Sequence, residues 1–500
     1  MAKELDGRAL ACALYVVCFG VLMIVLDTTI VTVALPTMLN DLDLSSASLT
    51  WVLNAYLLSY SGFLLLGGRL GDLYGRRRLF LSGIGVFTAA SVLCALARTE
   101  AVLLLGRAVQ GIGAAVVSAV SLSLILNLFQ RPGPRAKALA IYGIVCAAGG
   151  GAGELLGGIV TQLLGWQWIF LVNIPIGVCL CVLGFWLLPP DTRTGGSRKL
   201  DVLGSFAITA ALTLSVYALA SGQDLGWTSR PIEVVVGISA FVFLTFIRIE
   251  MRVSDPVMPL RLFQVQSFAT ANLIAAMWAA GTSAWLLISA LYLQRVLGYD
   301  PLKVGLAFLP AEVVSAAFSA GLSARIVSWL GVRVSLAIGL LVAAAGLALF
   351  ARAPIEGHFA WDVLPPMVLV AIGASMASTP LLLAAMSQVG SSETGLASGV
   401  VNTSFMMGGA LGLAILGSLA DARARDLQEA GLSTLASLDG GYHYAFLVGA
   451  LVTLAAAVVG AIVFSSKTSE MNPVETIDLS TETARGGLVR ERTRSPSEIN

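Results

Sequence analysis

Charge is what this chain has least of. Asp, Glu, Lys and Arg make up 12% of its 500 residues, about half the share in a soluble domain, and the mean hydropathy is +0.87. So little charge cannot cover a water-facing surface, which excludes a soluble globular protein. Histidine is nearly missing: His358 and His443 stand alone in expected outer loops, with no metal-site spacing around them. The six cysteines (Cys12, Cys18, Cys94, Cys146, Cys179, Cys181) all fall in apolar runs, so no exported disulfide framework is implied. No G-x-x-x-x-G-K-[ST] phosphate loop occurs, which argues against direct drive by ATP. No nucleophile and base cluster together, so an enzyme is not expected. The net charge of +1 says little, and neither a nucleic-acid partner nor a cofactor is expected.

Apolar runs are what the chain has in plenty. A helix needs roughly 20 apolar residues to cross the hydrocarbon core, and such runs recur from Leu10 to Phe464. Spans are expected near 10–35, 48–67, 79–97, 101–129, 138–164, 168–188, 202–222, 231–249, 268–293, 303–328, 334–351, 362–386, 396–420 and 444–465. The expected fold is therefore an all-α polytopic membrane protein of 14 transmembrane helices, two six-helix bundles with two extra helices between them. Residues 1–190 form the first bundle, 191–263 the linker and additional helices, 264–465 the second bundle, and 466–500 a disordered cytoplasmic tail. With both termini inside, 22 of the 30 Lys and Arg fall on the cytoplasmic side and 7 outside, with Arg107 in a span. That asymmetry fits the rule that positive loops stay in the cytoplasm, and the plasma membrane is the expected location.

Gly68-Arg-Leu-Gly-Asp-Leu-Tyr-Gly-Arg-Arg-Arg78 concentrates positive charge between the second and third spans. It reads as a cytoplasmic gating loop in which Gly68, Asp72, Gly75, Arg76 and Arg77 hold inner helix ends together in one state and release them in another. A fainter echo, Gly321 to Arg325 and Gly331 to Arg333, falls at the matching place in the second half. Repeats of this kind set a substrate site between halves, near the bilayer midplane.

An ionisable residue inside a membrane is a functional hypothesis by default, because its desolvation must be offset. Asp27 lies deep in the first span, where a proton carrier and a hydroxyl-bonded structural carboxylate are the competing readings. Arg107 in the fourth span stays charged and needs a partner or a wet cavity. Glu154 sits among glycines at small-x-x-x-small spacing, Gly149, Gly153 and Gly157, which brings helices close. It reads as a second proton carrier, a contact for a cationic substrate or a structural hydrogen-bonding group. Glu312, early in the tenth span, is either solvated at the interface or a substrate contact. Trp51, Tyr56, Trp278, Trp285 and Tyr292 fit a drug pocket, interfacial anchoring or packing equally.

These motifs carry a resemblance. Leu26-Asp-Thr-Thr-Ile-Val31, the Gly68–Arg78 segment and Arg107-Ala-Val-Gln-Gly111 resemble signatures of the major facilitator superfamily, in its fourteen-helix drug:proton antiporter branch. Trp166 to Gly177, Pro256 to Phe263, Tyr292 to Pro310 and Gly395 to Asn402 are similar to the same branch. The resemblance implies multidrug efflux: proton-driven export of small lipophilic or amphipathic compounds, including antibiotics, across the lipid bilayer; a monomer is expected. It assigns proton coupling to Asp27 and Arg107 and gating to residues 68–78, and it leaves Glu312, Asn402 and Phe405 as candidate cavity residues. Two departures stand out. Glu154 takes the place of a usual proline in the fifth span, and Phe405-Met406-Met407 follows Thr403-Ser404 where Arg-Gln is common. Export of one endogenous metabolite, and a non-transporting membrane sensor, remain the alternatives.

Overall fold

The computed structural model describes residues 7–42, 46–129, 132–191, 201–226, 228–253, 256, 258, 260–387, 389 and 394–464. The expected tail, 466–500, lies outside the described residues, as does nearly all of the linker at 192–200. Every regular element among the described residues is helical, as hydrocarbon demands: a spanning helix satisfies its backbone polar groups within itself.

Before the linker the helices are α1 (Gly7–Asp41), α2 (Ser46–Tyr74), α3 (Arg76–Ala95), α4 (Glu100–Leu128), α5 (Pro132–Leu164), α6 (Gln167–Leu171) and α7 (Asn173–Leu187). Two follow, α8 (Val202–Leu225) and α9 (Arg230–Glu250). Then come α10 (Gln266–Leu291), α11 (Pro301–Ala317), α12 (Ser323–Phe350), α13 (Leu364–Met386), α14 (Thr394–Glu429) and α15 (Thr434–Val463). Eleven helices among the described residues are long and apolar enough to cross a membrane, with α6 and α7 together making one of them.

Glycine sets the closest crossings, and the crossings recur. A Cβ on Gly113 of α4 would lie 2.8 Å from the Phe87 backbone nitrogen and 2.9 Å from the Gly83 carbonyl of α3. At the matching crossing of α12 with α13, a Cβ on Gly339 would lie 2.9 Å from the Gly373 carbonyl. Likewise α5 packs on α1 through Gly149, Gly153 and Gly157, and α14 packs on α10 through Gly408 and Gly412 against Ala276 and Ala280. Across the two sets, α5 packs against α11 and α2 against α14. The extra helices lie over the second of these seams: Leu58, Ile208, Val216, Phe246, Ala410 and Ala414 share one apolar cluster, and Ser418 on α14 donates to the Leu219 carbonyl of α8 at 2.9 Å.

The apolar core is continuous at one end only. The largest cluster joins α1, α2, α4 and α6 to α10, α11, α13 and α15 through residues such as Val31, Leu35, Trp166, Phe170, Leu291, Phe308 and Phe446. Towards the opposite end, where α2 meets α3, the core is divided. One cluster draws on residues between Ala13 and Leu188, and another on residues between Leu262 and Phe464.

Several expectations are corrected. Residues 68–78 are not a loop: α2 continues to Tyr74, and only Gly75, at φ 100°, breaks the path into α3. Gly67 and Gly71 serve there as packing surfaces against Val116 and Val120 of α4. The tenth and eleventh expected spans meet through a π-helical turn at Phe318–Leu322 and two bends, at Gly321 (φ 123°) and Gly331 (φ 76°). Glu312 consequently lies well into α11 rather than early in its span. His443 is not in a loop. Ser433 caps α15 by accepting from the Ala436 nitrogen at 3.3 Å, so the helix begins ten residues earlier and places His443 one turn beyond Asp439, 3.4 Å away.

A side chain at Gly113 must push α3 and α4 apart, whereas one at Gly85 meets nothing within 4 Å. Gly113→Val is expected to cost about 1–3 kcal/mol by overpacking. Melting temperatures of the purified protein in detergent should fall for Gly113→Val and stay near the parent value for Gly85→Val.

Candidate functional site

Asp27 and Arg107 meet. Asp27 on α1 and Arg107 on α4 are each 1% exposed, and Arg107 Nη1 donates to Asp27 Oδ2 at 2.5 Å. The other carboxylate oxygen, Oδ1, accepts from Gln110 Nε2 at 3.2 Å and from Asn173 Nδ2 of α7 at 3.1 Å. All three side chains facing the carboxylate are donors, the arrangement an ionised carboxylate accepts. The hydroxyl partners anticipated for Asp27 turn elsewhere: Thr28 donates to the Val25 carbonyl at 2.6 Å, and Thr29 to Leu26 and Val25.

The guanidinium is enclosed in turn. Its Nη1 also donates to Gln110 Oε1 at 2.9 Å, and its Nε donates to the Val52 carbonyl of α2 at 3.2 Å. The Tyr56 ring lies 4.4 Å and the Phe170 ring 6.0 Å from its central carbon, giving the cation aromatic faces in place of water. Gln110 closes the network by donating to Ser91 Oγ of α3 at 2.8 Å. Six helices before the linker, α1, α2, α3, α4, α6 and α7, thus converge on one carboxylate and one guanidinium. Arg107 and Gln110 sit three residues apart and therefore share a helix face, which is the signal that would have found Gln110. Asn173, on a different helix, gives no such local signal. Tyr56 is indistinguishable by sequence from a packing aromatic.

Glu154 is 1% exposed and turns away from this network, towards α11. Glu312 reaches it from α11: its Oε2 lies 3.2 Å from where a Cβ on Gly150 would stand. Phe405 packs edge-on against Trp278 of α10 with ring centres 5.1 Å apart, and Asn402 lies half-buried on α14. Between these two in sequence, Ser404 donates to Asn272 Oδ1 at 2.8 Å. The structure therefore sets Glu312 at the α5–α11 contact and Phe405 at the α10–α14 contact.

In the arginine-rich segment, Gly75 is approached by Asp191, which follows α7. Asp191 Oδ1 accepts from the Arg77 backbone nitrogen at 2.8 Å and Oδ2 from that of Arg78 at 3.2 Å, capping α3. The Arg77 side chain lies over the Phe185 ring at 5.1 Å and donates to the Phe185 carbonyl. Arg76 donates to the Ser123 carbonyl of α4 at 3.3 Å. The side chain of Asp72 lies outside the described residues. Among the described residues no group of His, Cys, Asp and Glu could hold a metal ion.

A buried ion pair inside a bundle of membrane-length helices fits a carrier, and comparison with known proteins agrees. The profile of the Major Facilitator Superfamily matches residues 17–413. The chain is 36% identical over 463 residues to the puromycin resistance protein of Streptomyces alboniger, covering 91% of each chain. It is 37% identical over 413 residues to the cephamycin export protein of Amycolatopsis lactamdurans, covering 81% of this chain and 84% of the other. The human organic anion transporter TETRAN shares the fold, with a TM-score of 0.60 at 16% identity over 90% of this chain and 99% of its own. The chain belongs to the Major Facilitator Superfamily, whose members are carriers and not enzymes.

Proposed function

We infer that this membrane carrier is a proton-coupled exporter of small lipophilic or amphipathic compounds, working by alternating access across the plasma membrane. The observation that carries the reading is the Asp27–Arg107 pair, a group able to exchange a proton bonded to a fixed cation within the bundle. Protonating Asp27 removes its charge and with it the hold on Arg107, so the clamp between α1 and α4 loosens. Deprotonation restores it.

The architecture read from the sequence is supported by recurrence. With α6 and α7 taken as one span and α2, α8 and α11 added to the eleven, fourteen spans result. The first–fifth and third–fourth crossings repeat in the second set, and the two sets meet reciprocally, second helix against fifth, as a pair of six-helix bundles would. If the arginine-rich end faces the cytoplasm, the continuous core seals the outside and the divided core leaves the bundles apart inside. Asp27, fully furnished with donors, then belongs to the inward-facing state after proton release.

The relatives' names point to antibiotics, and each specifies a single compound, puromycin in one and cephamycin in the other. That favours dedicated export of one compound as the second reading, and breadth of substrate separates the two.

The decisive experiment is accumulation of puromycin and ethidium in pump-deficient cells expressing the protein, with and without a protonophore. Reduced accumulation of both is expected, abolished by the protonophore and returned by Asp27→Asn to the level of cells lacking the transporter. Reduction for one compound only favours the dedicated exporter, and no reduction for either counts against efflux of this class. Asp191→Ala removes the cap of α3, a change of about 1 kcal/mol. It should slow efflux while leaving its protonophore sensitivity intact, and Asp191→Asn, which still accepts hydrogen bonds, should retain most of the rate.

A further inference from the structure

We propose that Glu154 and Glu312 form a second proton-carrying site, set in the contact between α5 and α11 and separate from the Asp27–Arg107 pair. The proposal rests on the alternating-access reading above but is tested without transport.

Geometry comes first. The two helices run antiparallel and touch backbone to backbone. A Cβ on Gly158 would lie 2.5 Å from the Pro301 carbonyl, and one on Gly305 would lie 2.7 Å from the Glu154 carbonyl. A turn further towards the arginine-rich end the Glu312 side chain covers α5, with its Cβ 2.5 Å from where a Cβ on Gly151 would stand. Glu154 therefore lies in the tight part of the seam and the half-buried Glu312 at its margin.

Chemistry then selects the occupant. Glu154 Oε2 is buried without a hydrogen-bond partner. On the far face of α5, helix α1 offers Leu26, Thr29 and Ile30, while its Asp27 is committed to Arg107. On α11 the nearest cation by sequence, Lys303, pairs with Asp300 at 3.1 Å at the exposed end. Among the described residues no ion pair involves Glu154 or Glu312, and the charged group acting on Glu154 is Glu312 itself. An ionised Glu154 would be a buried, unpaired anion beside a second carboxylate, which proteins avoid by neutralising the group. Backbone contact at Gly158 and Gly305, with the Glu312 side chain over Gly151, encloses Glu154 within the seam. A proton fits.

Transfer is balanced. The proton on Glu154 passes to a carboxylate oxygen of Glu312, leaving Glu154 ionised, and Glu312 then gives it to water at the margin of the seam. Before that release the pair holds one proton, on Glu154, within the shut seam. Parting of α5 and α11 would open Glu154 to the other side, so the site loads and unloads with the same motion that alternates access.

Infrared difference spectroscopy on the purified full-length protein in lipid nanodiscs tests this directly, through the carbonyl stretch of a protonated carboxylic acid. At neutral pH the parent should show that band and Glu154→Gln should lose it. Asp27→Asn should keep it, and Glu312→Gln should keep it with slower hydrogen–deuterium exchange. Glu154→Asp, which preserves the acid should the amide variant fold poorly, should keep the band at a displaced frequency. Absence of the band in the parent, or its persistence unchanged in Glu154→Gln and at an undisplaced frequency in Glu154→Asp, overturns the proposal whatever the efflux assays give. Failure of the Asp27-dependent efflux with the Glu154 band present would overturn the exporter reading and leave the site standing.

Discussion

A single ion pair out of water organises the first half of this protein. Taking a carboxylate and a guanidinium into a low-dielectric interior costs several kcal/mol per ion, and only good geometry with further hydrogen bonds repays it. The chain meets that demand by gathering hydrogen-bonding groups around the pair. Gln110, Asn173 and Ser91, with the Val52 carbonyl, surround Asp27 and Arg107, and Tyr56 and Phe170 face the cation. Because these groups come from α1, α2, α3, α4, α6 and α7, the pair helps to hold the helices in register. A change in its charge is therefore felt by the whole set.

Close packing determines how such a change can travel. Crossings built on Gly113 against Gly83 and Phe87, and on Gly153 against Leu26 and Thr29, bring helices to backbone contact. Helices in such contact resist small deformations and move as blocks, since packed interiors are bistable rather than continuously deformable. The seams between blocks differ from the crossings within them. At α5–α11 the glycine surface is interrupted by two acids, and at α2–α14 the extra helix α8 lies across the join, with Thr209 filling the space beside Gly62 and Leu219 accepting from Ser418. Of the two additional helices, α8 thus bridges α2 and α14, and α9 packs on α8.

Much of this was legible in the sequence, for a physical reason. A charge in an apolar run is an outlier whose cost must be met, so Asp27, Arg107 and Glu154 stand out from composition alone, and the small-residue spacing at Gly149, Gly153 and Gly157 announces a close crossing. Neutral amides are not outliers. Gln110 and Asn173 therefore passed unnoticed until the fold brought them to Asp27, although Gln110 shares a helix face with Arg107. Glycine misled at Gly68–Arg78: a segment dense in glycine and arginine reads as a loop, yet only Gly75 leaves the helical region, and Gly67 and Gly71 are there to admit α4. His443 was misplaced because Asp439 to His443 looks like a polar turn, whereas the cap at Ser433 lets α15 start before it.

The two buried acids, Asp27 and Glu154, show that a carboxylate can be accommodated in opposite ways within one membrane bundle. Asp27 is given a cation and two amide donors, so its environment is built for the charged form. Glu154 is given apolar neighbours, helix backbone and a second acid, so its environment is built for the neutral form. Asp27 sits within one set of helices and Glu154 at the join between sets. In the proposed cycle, a movement that parts α5 from α11 would leave the Asp27 cage intact but remove the reason for Glu154 to stay neutral. Closing the seam asks the reverse. In the proposed alternating-access cycle, two acids with opposite preferences, one within a block and one at the join, would give one conformational change two distinct points at which protons and access are linked.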